Sequence, residues 1–205
     1  MVIGSSVAGI LSRWATPPGR TRWSAAGASA GQPGDTLARM ERDGAIAWIS
    51  LAVGVAATCV ATWMVLIGER SLAGWAAAVA CVCLTSAAVT SHQDATRFLG
   101  AVAYRLFDGA VLSAIAWSAR STAPSVSVAA LLALIGGFLA AYFAAKGRAL
   151  GYDVDASTVN RFVRTGLVAV ALLSGNLSFW MWTLAILSLL TAVVRASQTF
   201  KEEMV

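Results

Sequence analysis

Six long apolar runs separated by short polar turns leave this 205-residue chain few ways to fold. Gly44 to Ile67 and Leu72 to Thr90 are each long enough to cross about 30 Å of hydrocarbon at about 1.5 Å per helical residue, and Gly68-Glu69-Arg70 is the tight polar turn between them. After the polar stretch Ser91 to Arg97, Gly100 to Trp117 forms a third span. Ser125 to Ala145, following Arg120 and Pro124, forms a fourth. Gly136-Gly137 in that fourth run is a small-residue patch that lets helices approach closely. Lys146 to Asn160 is the longest internal polar loop, Arg161 to Ser174 is a fifth helix, and Leu177 to Val194 is the sixth. The fifth is the shortest: its uninterrupted apolar part begins at Thr165, so it spans only with Arg161 and Arg164 snorkelling to the membrane face. The expected fold is an all-α, polytopic membrane protein with six transmembrane helices.

Composition excludes the main alternative. The chain is 58% hydrophobic and 12% charged, where soluble domains carry about 25% charged residues. A soluble fold would need helices that are apolar all round, with nothing to cover them. The net charge of +5 does not indicate nucleic acid, because the basic residues flank the apolar runs instead of clustering on an amphipathic helix. Cys59, Cys81 and Cys83 all lie within apolar runs and His92 is the only histidine, so neither a disulfide framework nor a zinc site is expected.

The ends organise as follows. Residues 1–34 form a basic tail rich in Gly, Ala, Ser and Pro, expected to be disordered. Its weak apolar run from Val2 to Leu11 is followed, not preceded, by Arg13, the reverse of signal-peptide order. Residues 35–43 read as a short juxtamembrane amphipathic helix capped by Asp35. Residues 44–198 are the six-helix domain and 199–205 a cytoplasmic tail. An even number of spans puts Arg13, Arg20, Arg22, Arg39, Arg42, Arg97, Lys146, Arg148, Arg161, Arg164, Arg195 and Lys201 on one side and only Arg70 and Arg120 on the other. That bias places both termini in the cytoplasm.

The remaining basic residue, Arg105, stands three positions before Asp108 inside the third span, on one helix face. Ionisable residues at membrane depth are costly and face the protein interior, a partner or water. Arg105 and Asp108 therefore read as an intramembrane ion pair, structural or functional. Arg161 and Arg164 are an i,i+3 pair at a helix start, where backbone N–H groups already favour an anion. Together with Lys146 and Arg148 at the fourth helix exit, they form a candidate site for a phosphate or lipid headgroup.

This layout resembles the bacterial CDP-alcohol phosphatidyltransferases, in particular the branch that makes phosphatidylinositol phosphate. Thr96-Arg97-Phe98 with Gly100-Ala101, and Arg105-Leu106-Phe107-Asp108-Gly109-Ala110-Val111, are similar to the family's third-helix sequence. Tyr142, Lys146-Gly147-Arg148-Ala149-Leu150-Gly151, Asp155 and Arg161-Phe162-Val163-Arg164 are similar in spacing to its basic loop between the fourth and fifth helices. The resemblance implies a six-helix bundle, commonly a homodimer. It also implies a CDP-linked lipid substrate and a role for Arg161 and Arg164 in holding the acceptor's phosphate.

The family's motif D-x2-D-G-x2-A-R-x8-G-x3-D-x3-D is not kept. Its first half falls on Ala87 to Arg97, where Asp94 is the only carboxylate, and Tyr104 stands where an aspartate is expected. In the family it resembles, four aspartates there bind the divalent ions that neutralise a CDP-lipid diphosphate, since hard cations take carboxylate oxygens. The leading expectation is a catalytically degenerate member that needs no cofactor. It would bind a phosphate or anionic lipid headgroup, or serve as a partner subunit for another membrane protein in phospholipid or glycolipid metabolism. An active phosphatidyltransferase, with Asp94 and Asp108 holding one Mg or Mn ion and Asp108 as the catalytic group, is the alternative. An unrelated small helical membrane protein is a third.

Overall fold

The helix order follows the apolar runs closely. A computed structural model describes residues 33–90, 94–151 and 158–203 and shows helices α1 (Pro33–Leu66), α2 (Arg70–Thr90), α3 (Asp94–Ala119), α4 (Pro124–Ala149), α5 (Thr158–Leu173) and α6 (Leu177–Glu203). The expected tail through residue 32, His92 and Asp155 lie outside the described residues. Five of the helices are long and apolar enough to cross a membrane; α5, with 16 residues, is not one of them. At about 1.5 Å per residue, α5 covers about 24 Å, short of the hydrocarbon thickness.

The ends of several helices differ from expectation. The short juxtamembrane helix and the first span run together as α1, because the lone Gly44 between them lowers helix stability without breaking it. Pro33 opens α1, a position where the missing N–H costs nothing. The third helix starts at Asp94 instead of near Gly100, and an acidic residue in a first turn suits the helix dipole. The fourth continues through Lys146 and Arg148 to Ala149, so much of the expected loop is helical, and basic residues in a last turn complement the dipole. The sixth extends to Glu203 through most of the expected tail.

Between α1 and α2 the turn is closed by Glu69 N–H donating to Met64 O at 2.9 Å and Gly68 N–H to Val65 O at 3.2 Å, with Gly68 at φ +90°. This is a left-handed helix terminator, which glycine adopts freely. Gly68→Ala is expected to lower stability by about 1 kcal/mol, measured by denaturant unfolding in mixed micelles.

The described residues from Leu37 onward form one compact unit. Helix α4 packs most extensively on α6, α2 on α5, and α3 on α4, with smaller contacts between α5 and α6 and between α2 and α3. The shared core is built from Ala73, Ala77, Ala80 and Leu84 of α2, Phe107, Val111 and Leu112 of α3, Ala129 and Ala133 of α4, Val168 of α5 and Met181 and Leu184 of α6. Large apolar side chains such as Trp63, Trp75, Val82, Trp117 and Val193 point outward. That distribution suits a lipid-facing exterior, which a soluble protein would not expose.

Candidate functional site

Successive helices run in opposite directions, so the starts of α3 and α5 meet the ends of α4 and α6 at one end of the bundle. There they enclose a cavity of about 320 Å³ whose lining includes Tyr104, Arg105, Asp108, Gly137, Arg161, Arg164, Ser188, Thr191 and Arg195. Each arginine comes from a helix that sequence alone leaves unoriented.

Helix α4 is the spine of this site. Ala133, Gly136, Gly137, Ala140 and Ala144 keep one of its faces nearly bare and are all buried. Three guanidinium groups from three other helices reach its backbone. Arg164 Nη2 of α5 donates to Ala133 O at 2.7 Å, Arg105 Nη1 of α3 to Gly137 O at 3.0 Å, and Arg195 Nη1 of α6 to Ala140 O at 3.0 Å. A carbonyl oxygen has two lone pairs, so one already used in the helix accepts a second donor when side chains are small enough to expose it. A Cβ on Gly137 would overlap the Arg164 guanidinium.

Asp108, only 6% exposed, joins two of these arginines. Its Oδ2 lies 3.6 Å from Arg105 Nη1 and 3.3 Å from Arg164 Nε. The Arg164 Nε is buried and makes no hydrogen bond among the described residues, so its contact with Asp108 is electrostatic and not aligned. Arg161 differs from the other three: it donates to no backbone or carboxylate oxygen among the described residues, and its guanidinium stands 6.0 Å from the Tyr104 ring centre.

A chain of hydroxyls fixes Tyr104 and the start of α5. Thr85 Oγ1 donates to Cys81 O at 2.7 Å, so its single proton is used and the Tyr104 hydroxyl, 2.8 Å away, must donate to it. Thr165 Oγ1 likewise donates to Arg161 O at 2.8 Å, and the Cys81 thiol, 3.3 Å away, donates to Thr165. These bonds tie α2, α3 and α5 together below the cavity.

The expected site residues fall into two groups. Arg105 and Asp108 are paired as their spacing suggests, but Asp108 is shared with Arg164. Arg161 and Arg164 line the cavity. Lys146 and Arg148 are exposed on the last turn of α4 and are not among the lining residues; Arg148 Nε donates to Ala144 O at 3.1 Å. Asp94 begins α3, and its side chain lies outside the described residues. Arg195 joins the site without having been singled out beforehand. A signal for it exists, since Ser188, Thr191 and Arg195 form a polar stripe at i, i+3 and i+7 in the otherwise apolar stretch 184–196 of that helix.

No protein-family model and no curated protein sequence matches this chain. Among the described residues, four guanidinium groups and one carboxylate line the cavity, a surplus of positive charge within a bundle of apolar helices. Among the described residues, no group of three or more His, Cys, Asp or Glu side chains is placed to hold a metal ion. Asp108 is the one carboxylate among the described lining residues.

Proposed function

We propose that this chain is a multi-pass membrane protein of CDP-alcohol phosphatidyltransferase type that has lost the metal-dependent transfer reaction and binds a phosphate group in the cavity between α3, α4, α5 and α6. The single observation that carries this reading is the surplus of guanidinium groups, three of them held against the α4 backbone. Arginines fixed in this way present donors to phosphate oxygens with little further ordering. The guest is a phosphate-bearing lipid headgroup or a small phosphate ester. By the distribution of Lys and Arg between loops, the cavity faces the cytoplasm, which makes the protein one of the cytoplasmic membrane with both termini inside.

Asp108 supports the loss of transfer chemistry. With Arg105 and Arg164 both on its Oδ2 side, it is poorly placed to accept a proton from an alcohol or to ligate a metal. Purified protein incubated with CDP-diacylglycerol, magnesium or manganese and phosphorylated alcohols is expected to release no CMP. Sustained turnover above a blank membrane extract would end this reading in favour of the enzyme alternative.

Binding is tested at Arg161, the cavity arginine with no backbone partner among the described residues. Arg161→Gln is expected to weaken phosphate binding about tenfold, the loss of one charge-assisted contact. Isothermal titration on protein in nanodiscs of zwitterionic lipid measures it, and unchanged affinity would remove Arg161 from the site.

A further inference from the structure

Asp108 is an oddity in a cavity otherwise suited to anions. It subtracts a charge from the site, and it draws on Arg105 and Arg164, which would otherwise be fully available to a ligand. It is also nearly sealed from water, whereas the cavity beside it is open enough to admit a guest. Among the described residues Arg161 makes no ion pair with Asp108 and stands by Tyr104, while Arg195 is bonded to Ala140 O.

We propose that Asp108 is a built-in counter-anion that competes with the bound phosphate for Arg105 and Arg164. This rests on the phosphate-site reading above. In the resting protein the carboxylate offsets part of the charge of two guanidiniums that would otherwise stand in apolar surroundings uncompensated. When a phosphate enters, it is captured first by Arg161 and then draws Arg164 away from Asp108. The Arg164–Asp108 contact suits exchange, because its Nε faces the carboxylate without a hydrogen bond while its Nη2 stays anchored on Ala133 O. The guanidinium can therefore change its anion without leaving α4. Asp108 thereby sets a threshold: a guest must offer more negative charge than one carboxylate to engage Arg105 and Arg164 as well as Arg161. That favours phosphate groups carrying two charges over singly charged anions.

The test compares the wild type with Asp108→Asn, which keeps the shape and removes the charge. Two probes separate the sources of phosphate: inorganic phosphate titrated onto protein in phosphatidylcholine nanodiscs, and nanodiscs doped with phosphatidic acid. The proposal expects Asp108→Asn to bind at least one of the probes about tenfold more tightly than the wild type, one like charge having been removed at short range. It also expects a smaller preference for phosphate over chloride. Equal or weaker binding by Asp108→Asn, with the wild type binding normally, overturns the proposal and makes Asp108 a residue that positions the arginines. No binding of either probe by either protein overturns the phosphate-site reading as well.

A measurement on the wild type stands if the variant does not fold. The dipolar coupling between ¹³C-labelled aspartate carboxylates and ¹⁵N-labelled arginine guanidiniums, read by solid-state NMR, is expected to fall on saturation with phosphate. A coupling unchanged at saturation sinks the exchange.

Discussion

Gly136→Val is expected to lower the stability of the bundle by about 3 kcal/mol, because the added carbons have no space between α4 and α6. A Cβ built on Gly136 lies 2.9 Å from both Leu189 N and Ser188 C. Those are backbone atoms of α6, which cannot rotate away as a side chain can. The two helices would have to separate along their most extensive contact, and membrane helices depend on such close approach because lipid provides no hydrophobic drive between them. The separation would also shift the wall that carries Ser188 and Arg195, so phosphate affinity is expected to fall with stability. Unfolding in mixed micelles followed by circular dichroism measures the first effect and titration the second. A loss below about 0.5 kcal/mol, the range of ordinary surface substitutions, would show that the interface yields freely.

The second large effect is expected at Arg164. Arg164→Met removes one of the two cations paired with Asp108 among the described residues and the donor to Ala133 O, leaving a buried carboxylate with Arg105 as its remaining described ion-pair partner. Breaking a buried ion pair from one side costs about 3 kcal/mol, most of it the desolvated charge left behind. Part of this loss is expected to be recovered when Asp108→Asn is made in the same chain, since the stranded charge then disappears. The double-mutant cycle is the deciding measurement. Strict additivity of the two changes would mean that Arg164 and Asp108 are neighbours without significant coupling.

These two positions also show how far the sequence could be read. Gly136-Gly137 is recognisable as a close-packing patch from its place in an apolar run, but its two glycines do different things. One admits the backbone of α6, the other the head of Arg164 from α5. The Arg105–Asp108 pair is legible because three residues along a helix always return to the same face. The second arginine on Asp108 is not, since Arg164 lies on another helix and reaches Asp108 only if α5 turns that face inward. Lys146 and Arg148 were as plausible as Arg161 by charge and spacing. They stand outside the cavity because α4 continues as a helix through them and directs them to its exposed surface. Arg195 is the converse case. At the end of the last apolar run it resembles an ordinary flanking charge, yet α6 packs on α4 so that its guanidinium meets Ala140 O.

What the chain determined by itself is the number, order and approximate ends of its helices. Apolar length, polar turns and the positions of Gly and Pro control these locally, and alternating direction then brings the starts of α3 and α5 beside the ends of α4 and α6. Tertiary structure alone decided which face of each helix turns inward, and so which four arginines share one cavity with Asp108. The physical reason lies in the solvent. In water, a polar outer face marks the inner one by contrast, but in a membrane both the core and the surroundings are apolar, and periodicity loses the signal. Orientation then rests on side-chain size and on a few polar contacts: the bare face of α4, the hydroxyl chain from Cys81 to Tyr104, and the arginines bonded to α4 carbonyls.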